Sequence, residues 1–471
     1  MASLSARALA ALLSDWRGEG SSAYAALAGR IRLLIVDGRI PLGTRIPAER
    51  DLAVQLGISR TTVTTAYSEL RESGYLTSVR GSGSVARLPG RAPVSIDAGL
   101  SEYLDFSKAA MPAAPGIVDA AERAIADLPA YLGGTGFDPV GIPVLREAIA
   151  ERYRLRGLPT DPDQIMVTIG AQHAIALLAR TLVGRGDSAI VEVPTYPHAY
   201  EALRNAGARL VPVNVSVDDG WDRLALEQAI QRSSPAVGYL MPDFHNPTGQ
   251  SMPVELRQRV LDLADRHGTR LIADETMAEL SLDHGHPVIP FAALGDAISI
   301  GSVGKTVWGG LRVGWIRAER PLIQKLVRAR MAGDLGTPIL EQLMVARLLG
   351  NYDAILADRR TQLRAGRDHL ISALRSAFPE WSVPHVPGGL TAWVNIGLPV
   401  SSQLTIAARN HGLLITAGPR FGIDGAFERF LRIPFSYSPQ ETDRAVAALA
   451  AAWESFAQIP AGEQSYLTDV V

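Results

Sequence analysis

Ser302-Val303-Gly304-Lys305-Thr306-Val307-Trp308-Gly309-Gly310-Leu311-Arg312-Val313-Gly314 is the stretch whose reading decides the chain. It follows Ala297 to Gly301, an apolar run with the length and composition of a buried strand. Lysine is scarce in these 471 residues: Lys108, Lys305 and Lys325 are all there are. One of them falls between a serine and an arginine, among glycines, just past a strand. A primary amine there can condense with an aldehyde, while the Ser302 hydroxyl and the Arg312 guanidinium can hold a phosphate. Arginine cannot do the amine's work, because a pKa above ~12 keeps it protonated. A plain surface lysine is the competing reading, and the flanking glycines and the scarcity of lysine argue against it.

Working outward, Ile165-Met166-Val167-Thr168, Ser188 to Val193, Ala236 to Met241 and Leu271-Ile272-Ala273 are further buried-strand candidates, each bordered by a stretch of helical period. That rhythm predicts an α/β layered sheet, in which ligands sit at strand C-termini and helix N-termini. Distinctive residues stand at those ends. Gly170-Ala171-Gln172-His173 opens a helix after the first strand, where free N–H groups cradle a phosphate or simply await a cap. Tyr196, after the second, can cover a flat ligand or fill the core. Asn246-Pro247-Thr248-Gly249 follows the third, as an ordinary turn or as an amide donor to a phenolate. Asp274 ends the fourth, where a carboxylate pairs with a pyridinium nitrogen or caps a helix. Arg432 can grip a carboxylate as a fork or form an internal ion pair.

The N-terminal part is different. Tyr24 to Val36, Ala48 to Leu56 and Arg60 to Glu72 read as three helices, the last two joined by Gly57-Ile58-Ser59, with Gly57 as the left-handed stop and Ser59 as the next N-cap. Tyr75 to Arg80 and Ser84 to Leu88 read as two short strands around Gly81-Ser82-Gly83. Two short helices across a glycine turn form a helix-turn-helix pattern, whose second helix would place Arg60, Thr61 and Thr62 against a DNA groove. A small helical bundle with a capped surface helix fits the same pattern. Between Ser21 and Arg91 ten arginines face five acidic residues, although the whole chain carries a formal charge of −2. This local excess suits a phosphate-facing surface.

Ile46-Pro47-Ala48-Glu49-Arg50-Asp51-Leu52-Ala53, Leu56 to Val63, Ala66-Tyr67, Gly74-Tyr75-Leu76 and Gly81-Ser82-Gly83 together resemble the GntR-type winged-helix signature, with Ala48 where serine is common. The resemblance implies DNA binding by the helix starting at Ser59, backbone contacts from Arg45 and Arg50, and a wing, with Gly81 and Gly83, in the minor groove. From about Leu104 to Trp453 the elements, in their order, resemble the fold-type I enzymes of the class I and II aminotransferase group, which carry pyridoxal 5′-phosphate (PLP). That resemblance implies a PLP Schiff base on Lys305, with Asp274 at the ring nitrogen and Asn246 at the ring oxygen. It also implies that Tyr196 stacks, that Ala171, Gln172, Ser302 and Arg312 hold phosphate, and that Arg432 binds an effector carboxylate. One departure stands out. Relatives place a tyrosine two or three residues after the aspartate; here those positions are Thr276 and Met277. Methionine cannot donate that hydrogen bond, which puts turnover in doubt and leaves the Thr276 hydroxyl as the candidate substitute.

The combination resembles the MocR subfamily of regulators nearly end to end. It implies a multidomain chain: an N-terminal helical extension (1–20), a small α+β winged helix-turn-helix (21–88) and a linker (89–104). An α/β PLP-dependent transferase fold (105–471) follows, with a large part at about 130–335 and a smaller α+β part at about 336–457. It further implies a homodimer that binds an operator in double-stranded DNA under control of PLP and a small amino-group effector. The alternative is a working aminotransferase with a DNA-binding module. With no cysteine, disulfides and thiolate chemistry are excluded, and no metal site is read from the sequence. Ala8 to Leu13 is too short for a signal-peptide core and no run of about twenty apolar residues follows, so a cytoplasmic protein without membrane spans is expected.

Overall fold

Apolar stripes at helical spacing bring the N-terminal residues together first. The computed structural model of the protein describes residues 3–13, 16, 22–36, 39–41, 43–79, 83–87, 103–283, 289–423 and 425–457. Its N-terminal unit comprises α1 (Ala6–Leu13), α2 (Ala23–Val36), α3 (Glu49–Leu56), α4 (Arg60–Glu72) and a hairpin of β1 (Leu76–Val79) with β2 (Gly83–Ala86). Leu27, Ile31, Leu52, Val63 and Tyr67 are fully buried between these helices. The sequence suggests an extension over 1–20 lying outside the module. In the structure α1 packs on α3, and Leu9 and Leu13, four residues apart on one face, are completely enclosed in the module's core. The hairpin gains a third member, because Ile46 N–H bonds Ser84 O (3.0 Å) and Ala86 N–H bonds Thr44 O (2.9 Å). Arg80 and Leu88, expected at the strand ends, lie outside the described residues, as do Gly81 and most of the expected linker.

After β3 (Leu104–Asp105), α5 (Ile117–Asp127) and α6 (Pro143–Leu155), strands and helices alternate. They run β4 (Ile165–Thr168), α7 (Gly170–Leu182), β5 (Ser188–Val193), α8 (Pro197–Asn205), β6 (Arg209–Ser216), β7 (Gly220–Trp221) and α9 (Arg223–Ser233). Then come β8 (Val237–Leu240), α10 (Val254–His267), β9 (Arg270–Asp274), β10 (Ile298–Ser302), β11 (Gly314–Arg317) and α11 (Arg320–Arg330). The sheet order is β4-β11-β10-β9-β8-β5-β6-β7. Neighbours from β10 to β6 pair in parallel, while β11 runs antiparallel to both of its partners. Every residue of β4, β8 and β11 is buried, as a sheet covered on both faces requires. Alternate residues supply the two layers: Ile190, Leu240 and Leu271 belong to the core on one side, and Val191, Tyr239 and Ile272 to that on the other.

The C-terminal part comprises α12 (Ile339–Leu349), α13 (Tyr352–Ala377), β12 (Thr391–Asn395), α14 (Ser401–Asn410), β13 (Leu413–Leu414), β14 (Thr416–Ala417), β15 (Phe430–Pro434) and α15 (Pro439–Ala457). β12, β15 and β14 form an antiparallel sheet in that order, and β13 pairs in parallel with β3, so the chain following the expected linker is built into this part. α2 of the N-terminal module packs against α14. No helix among the described residues is long and apolar enough to cross a membrane.

Candidate cofactor pocket and nucleic-acid interface

Parallel strands deliver their C-terminal ends to one edge of the sheet, and the loops leaving those ends enclose a cavity of about 290 Å³. Ala171, Gln172, Tyr196, Asn246, Asp274, Ser302, Lys305, Arg312 and Arg432 all line it. The sequence candidates for one ligand, scattered over more than 260 positions, are thereby brought into one space.

Lys305 follows β10, and its Nζ donates to Ala109 O (2.6 Å). Burial pushes its pKa down to about 8, helped by the neighbouring cations of Arg432 and Arg312 and opposed by Asp274. Gly170 begins α7 with φ +76°, and a Cβ there would lie 2.8 Å from Arg312 Nη2. Gly314 is equally constrained, since a Cβ on it would come within 2.8 Å of Ala171 N. Gly170 therefore lets the Arg312 guanidinium lie directly against the first turn of α7, where N–H groups are free to face an anion, and Gly314 lets the start of β11 approach the same turn. Ser302 Oγ donates to Val313 O and accepts from Gly304 N–H, both at 3.0 Å. Tyr196 OH donates to Gln172 Oε1 (3.0 Å), and burial, reinforced by Asp274, pushes the phenol up to about 12.

Asp274 is held by three donors: Tyr239 OH (2.6 Å), Thr276 N–H (3.0 Å) and Thr276 Oγ1 (2.7 Å). This corrects the expectation for Thr276. A carboxylate only accepts, so the single hydroxyl hydrogen points to Asp274 and is not available to a ring oxygen. Met277 lines the same pocket without a donor. Asn246 is buried and its Oδ1 has no hydrogen-bond partner. Its loop depends on Gly249, φ +77°, where a Cβ would collide with Val386 Cγ1 at 1.9 Å. Beneath it the fully buried Glu192 accepts from Trp221 Nε1 (2.7 Å) and Met241 N–H (2.9 Å).

Arg432 projects from β15 into the pocket. Burial lowers its pKa to about 10, and its guanidinium carbon lies 5.2 Å from the centroid of Phe421. One Nη donates to Ser107 O, while Nε has no partner; among the described residues no carboxylate pairs with it. Tyr239, Ala109 and Ser107 escape sequence reading, since each meets its partner across 35 or more positions and carries no local motif.

On the N-terminal module, Gly57 adopts φ +64° and ends α3. Ser59 caps α4, accepting from Thr62 N–H (3.1 Å), and the two hydroxyls lie 2.8 Å apart. Arg60 and Thr61 are thus the exposed side chains of the first turn, while Ser59 and Thr62 are partly engaged in the cap. Arg45 and Arg50 are exposed, and the Arg45 guanidinium runs beside Gly83 of the wing, with Nε 3.5 Å from where a Cβ would lie. Glu49 fixes α3 to α4 through Arg71 (2.7 Å) and Thr64 (2.8 Å); these two donors hold its pKa below the usual carboxylate value against the opposing effect of burial.

Residues 102–449 match the family described as aminotransferase class I and II. The chain belongs to that family. Residues 23–85 of this aminotransferase-family chain match the bacterial regulatory proteins of the gntR family, so a GntR-type DNA-binding domain is fused to the aminotransferase-like one, a layout consistent with MocR regulators. The HTH-type transcriptional regulator YdfD of Bacillus subtilis, itself described as uncharacterized, is 25% identical over 447 residues, covering 87% of this chain and 92% of the relative. The HTH-type transcriptional regulator NorG of Staphylococcus aureus is 29% identical over 303 residues, 63% of this chain and 67% of the relative. Among solved structures, the α-aminoadipate aminotransferase LysN of Thermus thermophilus, complexed with N-(5′-phosphopyridoxyl)-L-leucine, superposes with a TM-score of 0.69 at 27% identity, covering 76% of this chain and 93% of that one. The kynurenine aminotransferase of Pyrococcus horikoshii, at 23% identity and a TM-score of 0.69, shares the fold.

Proposed function

We propose that the chain is a cytoplasmic PLP-binding transcription regulator, whose winged helix binds operator DNA under control of PLP and an amino-group effector in the aminotransferase-like pocket. The observation that carries this reading is the convergence of Lys305, Asp274, Asn246 and Arg312 on one cavity in a chain that also bears a GntR-type module.

The residues fit PLP on three counts. Asn246 puts a side-chain amide, whose N–H can donate to a phenolate oxygen, on the pocket lining, the absence of a Cβ on Gly170 lets the Arg312 guanidinium lie beside the N–H groups that open α7, and Lys305 carries an amine with a lowered pKa. When bound, PLP supplies an aldehyde that accepts a primary amine and a ring that withdraws electrons. Ser302, Arg312 and the opening N–H groups of α7 would hold the phosphate, and Tyr196 would cover the ring. Asp274, kept in place by Tyr239 and Thr276, would hold a proton at the ring nitrogen. Arg432, lacking an internal carboxylate partner, would orient the effector's carboxylate. Binding then controls DNA occupancy only to the extent that the effector prefers one conformation of the chain over another.

Exposed apolar side chains on and after α5, namely Val118, Ile125, Leu132 and Phe137, between 58% and 72% accessible, support a homodimer through this face. Borohydride reduction of the holoprotein followed by peptide mapping is expected to leave the phosphopyridoxyl label on Lys305, with footprinting of the upstream DNA changing on PLP addition. A label elsewhere, or none, sinks the reading. The rival reading, a turnover enzyme, draws on the pocket residues apart from the missing tyrosine, and predicts sustained turnover of amino acid with a keto-acid acceptor. The engagement of Thr276 with Asp274 and the donorless Met277 favour a slow, stoichiometric conversion instead.

A further inference from the structure

Arg432 does not end the pocket; it begins a line of packed rings. Its guanidinium lies over Phe421, and Phe421 meets Trp393 edge-on at 5.4 Å. Trp393, which is directly opposite Arg432 in the β12–β15 register, stacks on Phe430 at 5.1 Å with the planes 8° apart, and meets Phe427 at 6.0 Å. Rings in mutual contact pass a displacement from one to the next, and a cavity of about 180 Å³ beside Trp393, Phe427 and Phe430 leaves them room to move. The far end is held under strain. Phe427 has φ +75°, a conformation that bulky residues rarely adopt. Packing enforces it, since its carbonyl oxygen lies 2.0 Å from where a Cβ on Gly418 would be and accepts from Phe430 N–H at 2.9 Å.

Two connections lead from that end to the DNA-binding module. Gly425, φ +80°, approaches Arg39 so closely that a Cβ would lie 2.3 Å from its Nη1. Glu428, next to Phe427, caps α14: one carboxylate oxygen accepts from Ser402 N–H (3.0 Å) and the Ser401 hydroxyl (3.2 Å), the other from the Ser402 hydroxyl (2.9 Å). α14 is the helix against which α2 packs. On the module's side, Ile40 beside Arg39 is fully buried in its core, and α2 packs on α4.

We propose that Gly425, Phe427 and the Glu428-capped α14 form the interaction surface through which a carboxylate on Arg432 acts on α2, and thereby on the placement of α4 against DNA. The effector class that works this lever is a PLP-linked amino acid bearing a carboxylate; an amine without one fills the pocket but leaves the ring line unmoved. The inference rests on the regulator reading above and names its route. The full-length chain is loaded either with N-(5′-phosphopyridoxyl)-L-leucine or with pyridoxamine 5′-phosphate, which lacks the carboxylate. DNA affinity for the chain's own upstream region and hydrogen exchange in α2 and α14 are then measured for each. In the wild type the two loadings are expected to differ by roughly tenfold in affinity and to change exchange in both helices. Phe427→Gly removes the ring and relieves the positive φ, and Arg39→Gln cuts the contact from the module's side. Each is expected to bind both ligands within about twofold of the wild type while the difference in DNA affinity falls below about twofold. Retention of the full difference in both variants overturns this inference and leaves the regulator reading intact. Failure of the wild type to bind DNA, or to take up either ligand, overturns both.

Discussion

At the scale of single residues, Lys305 is defined by its surroundings more than by its identity. The same amine in water would be protonated through neutral pH, whereas burial and the cations of Arg432 and Arg312 bring its pKa to about 8. The sign follows directly. In the folded apoprotein the charged amine is disfavoured, so below pH 8 a charged amine weakens the fold, and stability is regained as pH rises from about 8 toward the ordinary lysine value of 10.5. In the folded apoprotein the neutral, nucleophilic fraction grows as pH rises through about 8. PLP uptake by the apoprotein, followed by absorbance, is therefore expected to accelerate with a midpoint near pH 8. Arg432→Gln removes a repelling cation and is expected to move that midpoint upward; a midpoint unchanged in the variant would show that Arg432 does not act on this amine. Lys305, Asp274 and Asn246 were legible in the sequence as pocket candidates because each stands at the C-terminal end of an apolar strand or in the loop that leaves it, where the α/β rhythm itself announces a ligand edge. Tyr239 and Thr276 were not. Tyr239 is an ordinary buried strand residue until β8 and β9 are laid side by side, when its hydroxyl meets a carboxylate 35 positions away. Thr276 was visible as a hydroxyl near the ring, but the side to which its hydrogen points depends on a turn geometry that spacing does not encode.

At the scale of elements, local signals held where they were chemically explicit. The helix expected over Arg60 to Glu72 is α4 with the same bounds, because Ser59 supplies its cap and Gly57 in the left-handed region stops the preceding helix. The five expected runs fall within a residue of β4, β5, β8, β9 and β10, since an apolar stretch enclosed on both faces has few other places to go, whereas β6, β7 and β11 were not among them. What the period could not reveal was attachment: α1 carries a short apolar stripe that fits any core, and only the assembled module shows that Leu9 and Leu13 fill this one. Ser59→Ala removes the cap that accepts from Thr62 N–H and is expected to cost the N-terminal module about 1 kcal/mol. Chemical denaturation followed by a probe in that module is the check, and the midpoint of PLP-dependent absorbance, reporting the other domain, should not shift.

At the scale of the whole molecule, a chain of net charge −2 can grip a polyanion only if its charges are segregated, and the exposed Arg45, Arg50 and Arg60 lie on the module whose helix α4 follows the Gly57 turn and the Ser59 cap. Their roles separate by position. Arg60 stands in the first turn of α4, where a recognition helix meets base edges, so Arg60→Ala is expected to lose about 1–3 kcal/mol on the preferred operator and to flatten the preference among sequences. Arg45 runs beside the wing and Arg50 lies on α3, positions from which each is expected to contact the phosphate backbone. Their alanine variants are expected to weaken binding evenly across sequences and to reduce the slope of log affinity against log salt by about one each. Titrations of operator and random DNA over a range of salt distinguish the two patterns within one data set. If Arg60→Ala changes only the salt slope, α4 does not enter the groove by its N-terminus, and the pocket, whatever it binds, governs a module docked in some other way.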